Sequence, residues 1–569
     1  MPTRTQGPIL GIACYGANDT GVALLDHTGH LLYMSEEERF SRRKKDTAFP
    51  ALAIADALRF ADITAGDVSD CAFYTDLSGT ALRGAVHILR NLPGSLRFLG
   101  SGGASHRRHR GFAHELRTRT GFDGNVHAVP HHTCHAACAF FLSPFEEAAV
   151  LTLDGTGEWA TTTRWLGRNN GLASVDGTDF PHSLGKVYEA FTQFLGFRPN
   201  SGEGKVMGLS AFGDPTRFRV EFQQILRLEE GGAFRVDMDW FRYHLGAERL
   251  YGRKAITAFG APRVPESELT ERDMDLAAAL QERTEEAALH LALDLHARTG
   301  ASDLCLAGGV ALNSCMNARI ARDGPFRDVY IPPPAGDPGT ALGAAKYVHH
   351  VLRGGTDREE LTHANWGPQF DAQSCERALQ GSGFEYSSVD NPAENAARAL
   401  SEGQVVGWFQ GRMEIGPRAL GNRSILADPR RPDMQDIVNR RVKHREGFRP
   451  FAPAVLAERC SDFFDAPGPS PFMLFVYGVR RDRRQDIPAV THVDGTGRVQ
   501  TVDREQNPRF RQLIEAFDAI TGVPVVLNTS FNVRGEPIVC TPEDALACFR
   551  ETGMHRLYLG DFEVTKPSD

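Results

Sequence analysis

The sequence predicts an α/β protein of two domains, the first of them internally duplicated. A buried strand, a turn with glycine and aspartate, and a returning strand occur within residues 9–25, and the same succession recurs within residues 149–166. The pattern of residue types changes near Trp366. After this point, charged residues lie beside glycines and prolines instead of on amphipathic faces. A length of 569 residues also exceeds that at which one hydrophobic core keeps growing.

The two repeats are predicted from strand and turn signals alone. Their turns are Gly16-Ala17-Asn18-Asp19 and Asp154-Gly155-Thr156-Gly157. Actin and the sugar kinases hold the phosphates of ATP with such turns, and the first domain resembles this ribonuclease H-like, actin/sugar-kinase-like fold. The strands are expected at 9–13, 21–25, 31–34, 149–153 and 161–166.

Composition excludes several classes of protein. A hydrophobic content of 41% and a mean hydropathy of -0.31 are typical of a globular protein without membrane spans. The first residues lack the apolar region of a signal peptide, so a cytoplasmic location is expected. Ten cysteines without a CxxC pair indicate reduced thiols. A net charge of -9 argues against a general nucleic-acid binder.

One segment is basic in spite of the net charge. Residues 83–119 contain eight arginines and the single acid Glu115. Such a segment is either a solvated basic insertion or an edge that attracts a phosphorylated ligand.

A candidate metal site opens a short apolar helix. His131 and His135 are four residues apart and share one helix face, so they can bind one ion while Asp154, on a neighbouring strand, supplies a carboxylate. Two plain surface histidines would explain the pair equally. A four-ligand zinc site with Cys134 and Cys138 is disfavoured, because ligands from two turns of one helix reach an ion from one side.

Two further segments of the first domain present glycines or an acid at a helix start. After a long helix expected from Glu271 to Arg298, a buried strand at 303–307 runs into Gly308-Gly309, where backbone can approach a nucleotide. Three prolines at 332–334 then present Asp337 before a small-residue helix. Asp337 is either an N-cap or a fourth metal ligand.

The boundary to the second domain is expected between 360 and 390, and an α+β unit follows. Its arginines lie on turns, where guanidinium groups are aimed in advance at phosphate or carboxylate oxygens. Salt bridges would explain any one of these blocks, but several together favour a phosphate site. The blocks span 411–424, 443–451, 496–498 and 527–532.

In their order along the chain, nine motifs resemble the O-carbamoyltransferase family that includes enzymes of nodulation-factor, cephamycin and tobramycin biosynthesis. Any one motif is modest, whereas the ordered set is specific and covers essentially the whole chain. The motifs are 36–42, the pair His131 and His135, 153–155, 203–209, 308–313, 337–339, 416–421, 449–453 and 528–532.

The resemblance implies a division of labour between two domains. A YrdC-like α+β domain, residues 385–569, would make carbamoyl adenylate from carbamoyl phosphate and ATP, which comes with Mg²⁺. An actin-like domain similar to tRNA threonylcarbamoyl transferases, residues 1–365, would pass the carbamoyl group to a hydroxyl of a small molecule, such as an antibiotic, another natural product or a sugar.

The resemblance also implies roles for single residues, carried over by position. For the metal, the family favours iron, while zinc or manganese also suits two nitrogen and two oxygen ligands. The implied ligands are His131, His135, Asp154 and Asp337. Gly155, Lys205, Gly309 and Asn313 would surround the adenylate. Carbamoyl phosphate and ATP would be bound by Arg418, Lys443, Arg449, Arg498, Asn528 and Ser530. Of these, Lys443 and Arg498 would also be catalytic.

One departure from the family concerns the first turn. Members commonly have His-Asp where this chain has Asn18-Asp19, and asparagine does not accept a proton in this range. Asp19, His132 or the metal-bound alkoxide then takes the role of the histidine, or Asn18 only orients the acceptor. A natural histidine replaced by design would give the same sequence.

Three other functions are weighed. A tRNA threonylcarbamoyl-type enzyme is disfavoured by the charge of -9 and by fusion of both halves into one chain. A hydrogenase-maturation enzyme would need CxxC zinc fingers. A non-catalytic actin-like ATP-binding module leaves both histidines and the arginine blocks without a purpose. The sequence predicts neither the acceptor, whose pocket is expected from 76–120 and 214–268, nor the oligomeric state.

Overall fold

The computed structural model describes residues 7–16, 19–78 and 80–567, with backbone alone between 96 and 106. The chain forms two compact units, one of residues 1–37 and 45–360 and the other of residues 38–44 and 361–569. The short segment 38–44 thus packs with the second unit, which no local sequence pattern indicates.

The strands are given in chain order. In the first unit they are β1 (Ile9–Ala13), β2 (Gly21–Leu25), β3 (Leu31–Glu36), β4 (Asp70–Phe73), β5 (Asn125–Ala128), β6 (Glu147–Gly157), β7 (Ala160–Arg168), β8 (Gly171–Asp179), β9 (Leu226–Leu228), β10 (Phe234–Val236), β11 (Asp303–Ala307) and β12 (Asp328–Tyr330). In the second unit they are β13 (Glu385–Ser388), β14 (Val406–Phe409), β15 (Arg423–Ala427), β16 (Ala452–Leu456), β17 (Val476–Gly478), β18 (Thr496–Arg498), β19 (Gln500–Val502), β20 (Val525–Ser530), β21 (Arg556–Leu559) and β22 (Phe562–Thr565).

The α-helices follow in the same way. They are α1 (Glu38–Ser41), α2 (Ala51–Phe60), α3 (Thr80–Arg90), α4 (Leu96–Thr120), α5 (His131–Phe140), α6 (Leu184–Phe194), α7 (Glu203–Leu209), α8 (Arg219–Ile225), α9 (Arg253–Phe259), α10 (Glu271–Thr299), α11 (Ser314–Asp323), α12 (Pro338–Tyr347), α13 (Ala372–Leu379), α14 (Pro392–Ser401), α15 (Met434–Ile437), α16 (Cys460–Phe463), α17 (Pro508–Thr521) and α18 (Pro542–Glu551). Among the described residues, no helix is both long and apolar enough to span a bilayer.

The first unit contains the same sheet twice. One sheet has the order β3-β2-β1-β4-β5 and the other β8-β7-β6-β11-β12. In each, three antiparallel strands are followed by two parallel ones. This repeated order confirms the predicted duplication and the actin/sugar-kinase-like class.

Helices α5 and α12 pack against each other and against these sheets. Their close approach depends on glycine, because a Cβ on Gly343 would lie 1.8 Å from the Cys134 carbonyl oxygen. A Cβ on Gly11 of β1 would similarly lie 2.0 Å from the Ala341 carbonyl oxygen. The small residues therefore fix the distance between the start of α5 and the start of α12.

The second unit is built on a mixed sheet of order β13-β22-β21-β14-β15-β20-β16-β19. Pairs β14–β21 and β16–β19 are parallel, whereas the other pairs are antiparallel. Helices α14 and α17 cover it through Leu400, Phe510 and Phe517, which pack with Trp408 in one buried cluster. An α+β unit of this kind is what the sequence predicts for this region.

One local prediction near the candidate metal site is wrong. The predicted turn at Asp154 is instead strand, since β6 continues to Gly157 through a bulge opposite β7. A bulge interrupts the regular pairing of a strand, so it can expose backbone groups as the predicted turn would.

Candidate metal and phosphate sites

The structure brings the four predicted metal ligands together. Ligand atoms of His131, His135, Asp154 and Asp337 all lie within 4.8 Å of one another. His131 Nε2 is 3.0 Å from Asp154 Oδ2 and 3.1 Å from His135 Nε2. Asp337 Oδ1 is 3.7 Å from His131 Nε2 and 3.8 Å from His135 Nε2.

These separations fit one divalent ion. Ligand atoms bound at about 2.0–2.2 Å around a tetrahedral ion lie about 3.3–3.6 Å apart. The four side chains are at most 10% exposed, so little water reaches their ligand atoms. Two imidazole nitrogens and two carboxylate oxygens form a donor set that suits iron, zinc or manganese.

Different elements position each ligand. Both histidines lie on α5, one turn apart, and Asp154 lies at the bulge of β6. Asp337 precedes α12, and its side chain makes no capping bond to that helix. Capping therefore does not explain Asp337, and its carboxylate faces the histidines.

The electrostatics of the cluster are mutually compensating. Burial alone lowers the pKa of His131, but the Asp154 hydrogen bond and the Asp337 charge raise that pKa to about 9. Burial raises and both histidines lower the pKa of Asp154, with a net value well below the usual range. Cations and carboxylates thus stabilise each other in this buried position.

Cys134 and Cys138 take no part in the cluster, as the sequence predicts. Cys134 Sγ contacts the carbonyl oxygens of Tyr74 and Val129. Burial raises the pKa of the Cys138 thiol to about 12, so it stays protonated and packs as an apolar group.

Groups around the ligands hold them in place. The Gly309 backbone N–H donates to Asp154 Oδ1 at 3.1 Å. Glu158 accepts the backbone N–H of His131 at 2.9 Å, although sequence reasoning did not single Glu158 out. Gly309, which the resemblance assigns to the adenylate, thus contacts a candidate metal ligand.

The other adenylate candidates have mixed surroundings. The Lys205 ammonium lies 5.4 Å from the Phe197 ring centroid. Asn313 caps α11 and its amide pairs with Gln281, so it holds local structure instead of offering free donors. At Gly155, the nearby lysine is Lys186, whose Cε lies 3.6 Å from where a Gly155 Cβ would be.

Lys186 was missed from the sequence. It follows Ser183, the N-cap of α6, and its ammonium pairs with Glu189 at 2.6 Å. The Ser183 hydroxyl in turn donates to the Gly155 carbonyl oxygen at 2.7 Å. A capped helix start opposite a glycine is a signal that could have found this lysine.

Asn18 lies outside the described residues, whereas Asp19 is partly buried. The turn before them approaches the metal cluster, because a Cβ on Gly16 would lie 4.0 Å from Asp337 Oδ2 and 2.8 Å from the Tyr74 hydroxyl. The backbone at Gly16 therefore lies near the metal cluster.

His132 does not suit the predicted role of base. Its Nδ1 is 2.6 Å from Thr152 Oγ1 and its Nε2 is 3.0 Å from the Ala160 carbonyl oxygen. Burial and the neighbouring histidines lower the pKa of His132 to about 3. With both ring nitrogens engaged, His132 joins α5 to the sheet.

In the second unit, predicted arginines converge. Burial and the charges of Arg498 and Arg449 lower the pKa of Arg418 well below its usual range. Burial, Arg449 and Arg498 also lower the pKa of Arg445, which was not among the predicted residues, to about 8. Because a guanidinium keeps its proton under ordinary conditions, the repulsion is best relieved by a bound anion.

Three other predicted residues of the second unit, Lys443, Asn528 and Ser530, are held by hydrogen bonds. Lys443 Nζ donates to the Ser530 carbonyl at 2.6 Å and to Asn532 Oδ1 at 2.6 Å, and Ser530 Oγ is 2.8 Å from that atom. Asn528 Nδ2 donates to Gln500 Oε1 at 2.8 Å. Lys443 thus orders the turn after β20, and burial lowers its pKa well below the usual range.

The loop that carries Arg418 is held by a buried carboxylate. Glu414 Oε1 accepts the backbone N–H groups of Leu420 at 2.6 Å, Asn422 at 3.3 Å and Arg423 at 3.2 Å. Arg39, from the segment that packs with this unit, donates to the Gly416 carbonyl at 2.8 Å.

The predicted basic segment folds into α3 and α4, and Arg83 pairs with Asp179 at 3.1 Å. Arg107, Arg108 and Arg110 are solvent-exposed. Whether this surface attracts a phosphorylated ligand stays a prediction.

Comparison with known proteins identifies the family of this chain. Residues 8–346 match the family model "Carbamoyltransferase N-terminus" and residues 397–566 match "Carbamoyltransferase C-terminus". The nodulation protein NolNO of Sinorhizobium fredii is 36% identical over 96% of this chain and 79% of its own length. NolO of Bradyrhizobium diazoefficiens is 40% identical over 77% of this chain and 78% of its own length.

Solved structures are more distant. HypF of T. kodakarensis is 15% identical, covers 62% of this chain and 49% of its own, and has a TM-score of 0.32. Since both family models match, the chain belongs to the carbamoyltransferase family and is a carbamoyltransferase.

Proposed function

We propose that the protein is an ATP-dependent O-carbamoyltransferase with two separate sites, which correspond to residues 385–569 and 1–365. The observation that carries this proposal is the arginine cluster of the second unit, Arg418, Arg445, Arg449 and Arg498, in which burial and like charge lower the pKa values of Arg418 and Arg445. A site built at this electrostatic cost suits polyanionic substrates, here carbamoyl phosphate and ATP.

In the first step, carbamoyl adenylate is made from carbamoyl phosphate and ATP. Water releases phosphate from carbamoyl phosphate and leaves carbamate, whose oxygen attacks the α-phosphorus of ATP. Pyrophosphate leaves, and carbamoyl adenylate remains. The arginines bind the phosphate groups and stabilise charge that grows on the departing oxygens, and Lys443 keeps the 528–532 turn in place.

The second step is assigned to the first unit, where the acceptor oxygen would attack the carbamoyl carbon of the adenylate, AMP would leave and the hydroxyl proton would pass to a base. His131, His135, Asp154 and Asp337 would hold a divalent ion, iron by family precedent, which would supply Lewis acidity to the carbonyl or the acceptor hydroxyl. Gly155 offers open backbone for the adenylate, and Lys186 adds a positive charge beside it. Asp19 is the proposed proton acceptor, because the nitrogens of His132 are engaged.

The acceptor is proposed to be a hydroxyl of a small molecule, such as an antibiotic, another natural product or a sugar, and the reaction to take place in the cytoplasm. The relatives NolNO and NolO are named as nodulation proteins, and their names specify no acceptor. Nucleic acid is not proposed as a substrate because the net charge is -9.

The proposal is tested by pyrophosphate release. Release should depend on both ATP and carbamoyl phosphate, and a panel of hydroxyl compounds should then yield one product heavier by a single carbamoyl group. Release at the same rate without carbamoyl phosphate would contradict the adenylate mechanism.

A further inference from the structure

Glu158 lies in the tight turn between β6 and β7, next to the candidate metal cluster. Its φ is +44°, a region that residues other than glycine rarely adopt. Such a conformation persists only where the surroundings require it, and it concentrates at functional sites. The backbone of Glu158 is thus held against its local preference.

The Glu158 carboxylate connects three separate segments. Oε1 accepts the backbone N–H of His131 at 2.9 Å, the hydroxyl of Thr75 at 2.8 Å and the backbone N–H of Asp76 at 2.9 Å. Oε2 lies 3.2 Å from the His131 nitrogen. The start of α5, the chain after β4 and the β6–β7 turn therefore meet at one side chain.

Two of these segments contact the cluster directly. His131 is a candidate ligand, and the ring of Tyr74 lies edge-on to the His131 ring with centroids 5.5 Å apart. The third segment extends to Trp159, whose ring is 5.6 Å from that of His87 on α3. A shift of Glu158 would thus move the backbone of one ligand and the ring that packs on it.

We infer that Glu158 is a positioning residue for the metal centre, which it serves by fixing the N-terminus of α5 against residues 75–76. The inference rests on the proposed function, in which the four-residue cluster binds a divalent ion. Glu158 acts through hydrogen bonds and through its negative charge at the positive end of α5. The Glu158 carboxylate is not one of the four metal ligands.

The test is a titration of the metal-free protein with Co²⁺, followed by its visible absorption. Glu158→Ala removes all the bonds and should weaken Co²⁺ binding by about 10- to 100-fold, as for other groups that orient ligands. Glu158→Gln keeps an acceptor oxygen and loses only the charge, so a loss of about two- to five-fold is expected.

Thr75→Val tests the connection between segments, since it removes one donor and leaves the carboxylate. A loss of about two- to five-fold is expected. In the double variant Thr75→Val/Glu158→Ala, the loss should equal that of Glu158→Ala alone, because both changes act through one carboxylate. A control, Asp371→Ala, removes the N-cap of α13 in the second unit and should leave Co²⁺ affinity unchanged.

Co²⁺ affinity in Glu158→Ala within about two-fold of the parent protein, or additive losses in the double variant, would overturn the inference. If Glu158→Ala does not fold, Thr75→Val decides, and an unchanged affinity and spectrum would overturn it. Failure of the proposed function gives a different result, since the parent protein itself would then neither bind Co²⁺ nor release pyrophosphate in response to carbamoyl phosphate.

Discussion

The two candidate sites differ in burial and in how their charge is balanced, since the metal-site residues are at most 9% exposed and the four arginines are only partly buried. In the metal cluster, His131 and His135 face Asp154 and Asp337 at 3.0–3.8 Å. In the arginine cluster, the charges that act on Arg418 are other arginines, and Glu446 lies 3.9 Å from Arg449 and 3.8 Å from Arg534. The first site is compensated within the protein, whereas the second gains most from an anionic ligand.

This difference is expected between a site that binds a resident ion and a site that binds substrates, which leave after each turnover. A compensated cluster keeps its geometry between turnovers, which suits a resident ion. A cluster of like charges is stabilised while phosphate groups are bound, which favours entry of carbamoyl phosphate and ATP. The comparison predicts that changes in the two clusters affect different reactions and affect stability with opposite sign.

The largest expected effect comes from Arg418→Ala. It should lower carbamoyl-phosphate-dependent pyrophosphate release by about 10³-fold or more, because one arginine on transferring phosphoryl groups contributes that much. Co²⁺ binding should be unchanged. Arg431→Ala, which removes an arginine paired with Asp433, is the matched control. Release within about ten-fold of the parent protein would place the phosphate site elsewhere.

His135→Ala is the counterpart in the first unit. Loss of one of four ligands should weaken metal binding by more than about 100-fold and abolish transfer to the acceptor, while pyrophosphate release continues. Metal content and pyrophosphate are measured on the same sample. His290→Ala, a change of an exposed histidine on α10, should alter neither. A folded His135→Ala protein without pyrophosphate release would refute the two-site division.

The sign of the stability effect distinguishes the clusters further. Arg445→Met should raise the melting temperature of the ligand-free protein by about 2–4 °C, because it removes a buried like charge, and should reduce stabilisation by pyrophosphate. Asp154→Asn in metal-free protein should lower the melting temperature by a similar amount or more. Scanning calorimetry measures the melting temperature of both variants. Shifts of the same sign in the two variants would contradict the proposed difference in charge compensation between the clusters.

The smallest effect concerns pH and is shared by both units. Burial lowers the pKa of His350 to about 3 and that of His492 to about 4. An unfolded chain then binds more protons between pH 6.5 and pH 4, so this stability is present above pH 6.5 and lost as the pH falls. His492→Gln should flatten the fall in unfolding free energy by at most about 1.4 kcal/mol per pH unit in urea titrations.

Much of the fold could be predicted because its signals are local. In the strand Asp303–Ala307, an uninterrupted apolar run follows the first residue. Helix α10 begins with a capping box at Thr270 and Asp273, and its C-cap Gly300 is in the left-handed conformation. The bulge at Asp154 was read as a turn, because a bulge is defined by its pairing with another strand.

The candidate site could be predicted only where spacing or resemblance identified it. His131 and His135 follow from helix periodicity. Glu158 was missed because its partner Thr75 is 83 residues away in sequence, and its positive φ is not a property of the residue type. Arg445 was passed over among several arginines, since only the folded loops show which of them share a like-charge environment.

The most direct test of two separate sites is to measure pyrophosphate release and carbamoyl transfer on one preparation that has been treated with a chelator of transition metals and then supplied with Mg²⁺ and ATP. We predict that carbamoyl-phosphate-dependent pyrophosphate release persists while carbamoyl transfer is lost, and that transfer returns when the divalent ion is restored. Loss of pyrophosphate release together with transfer, or transfer that survives removal of the metal, would contradict the account.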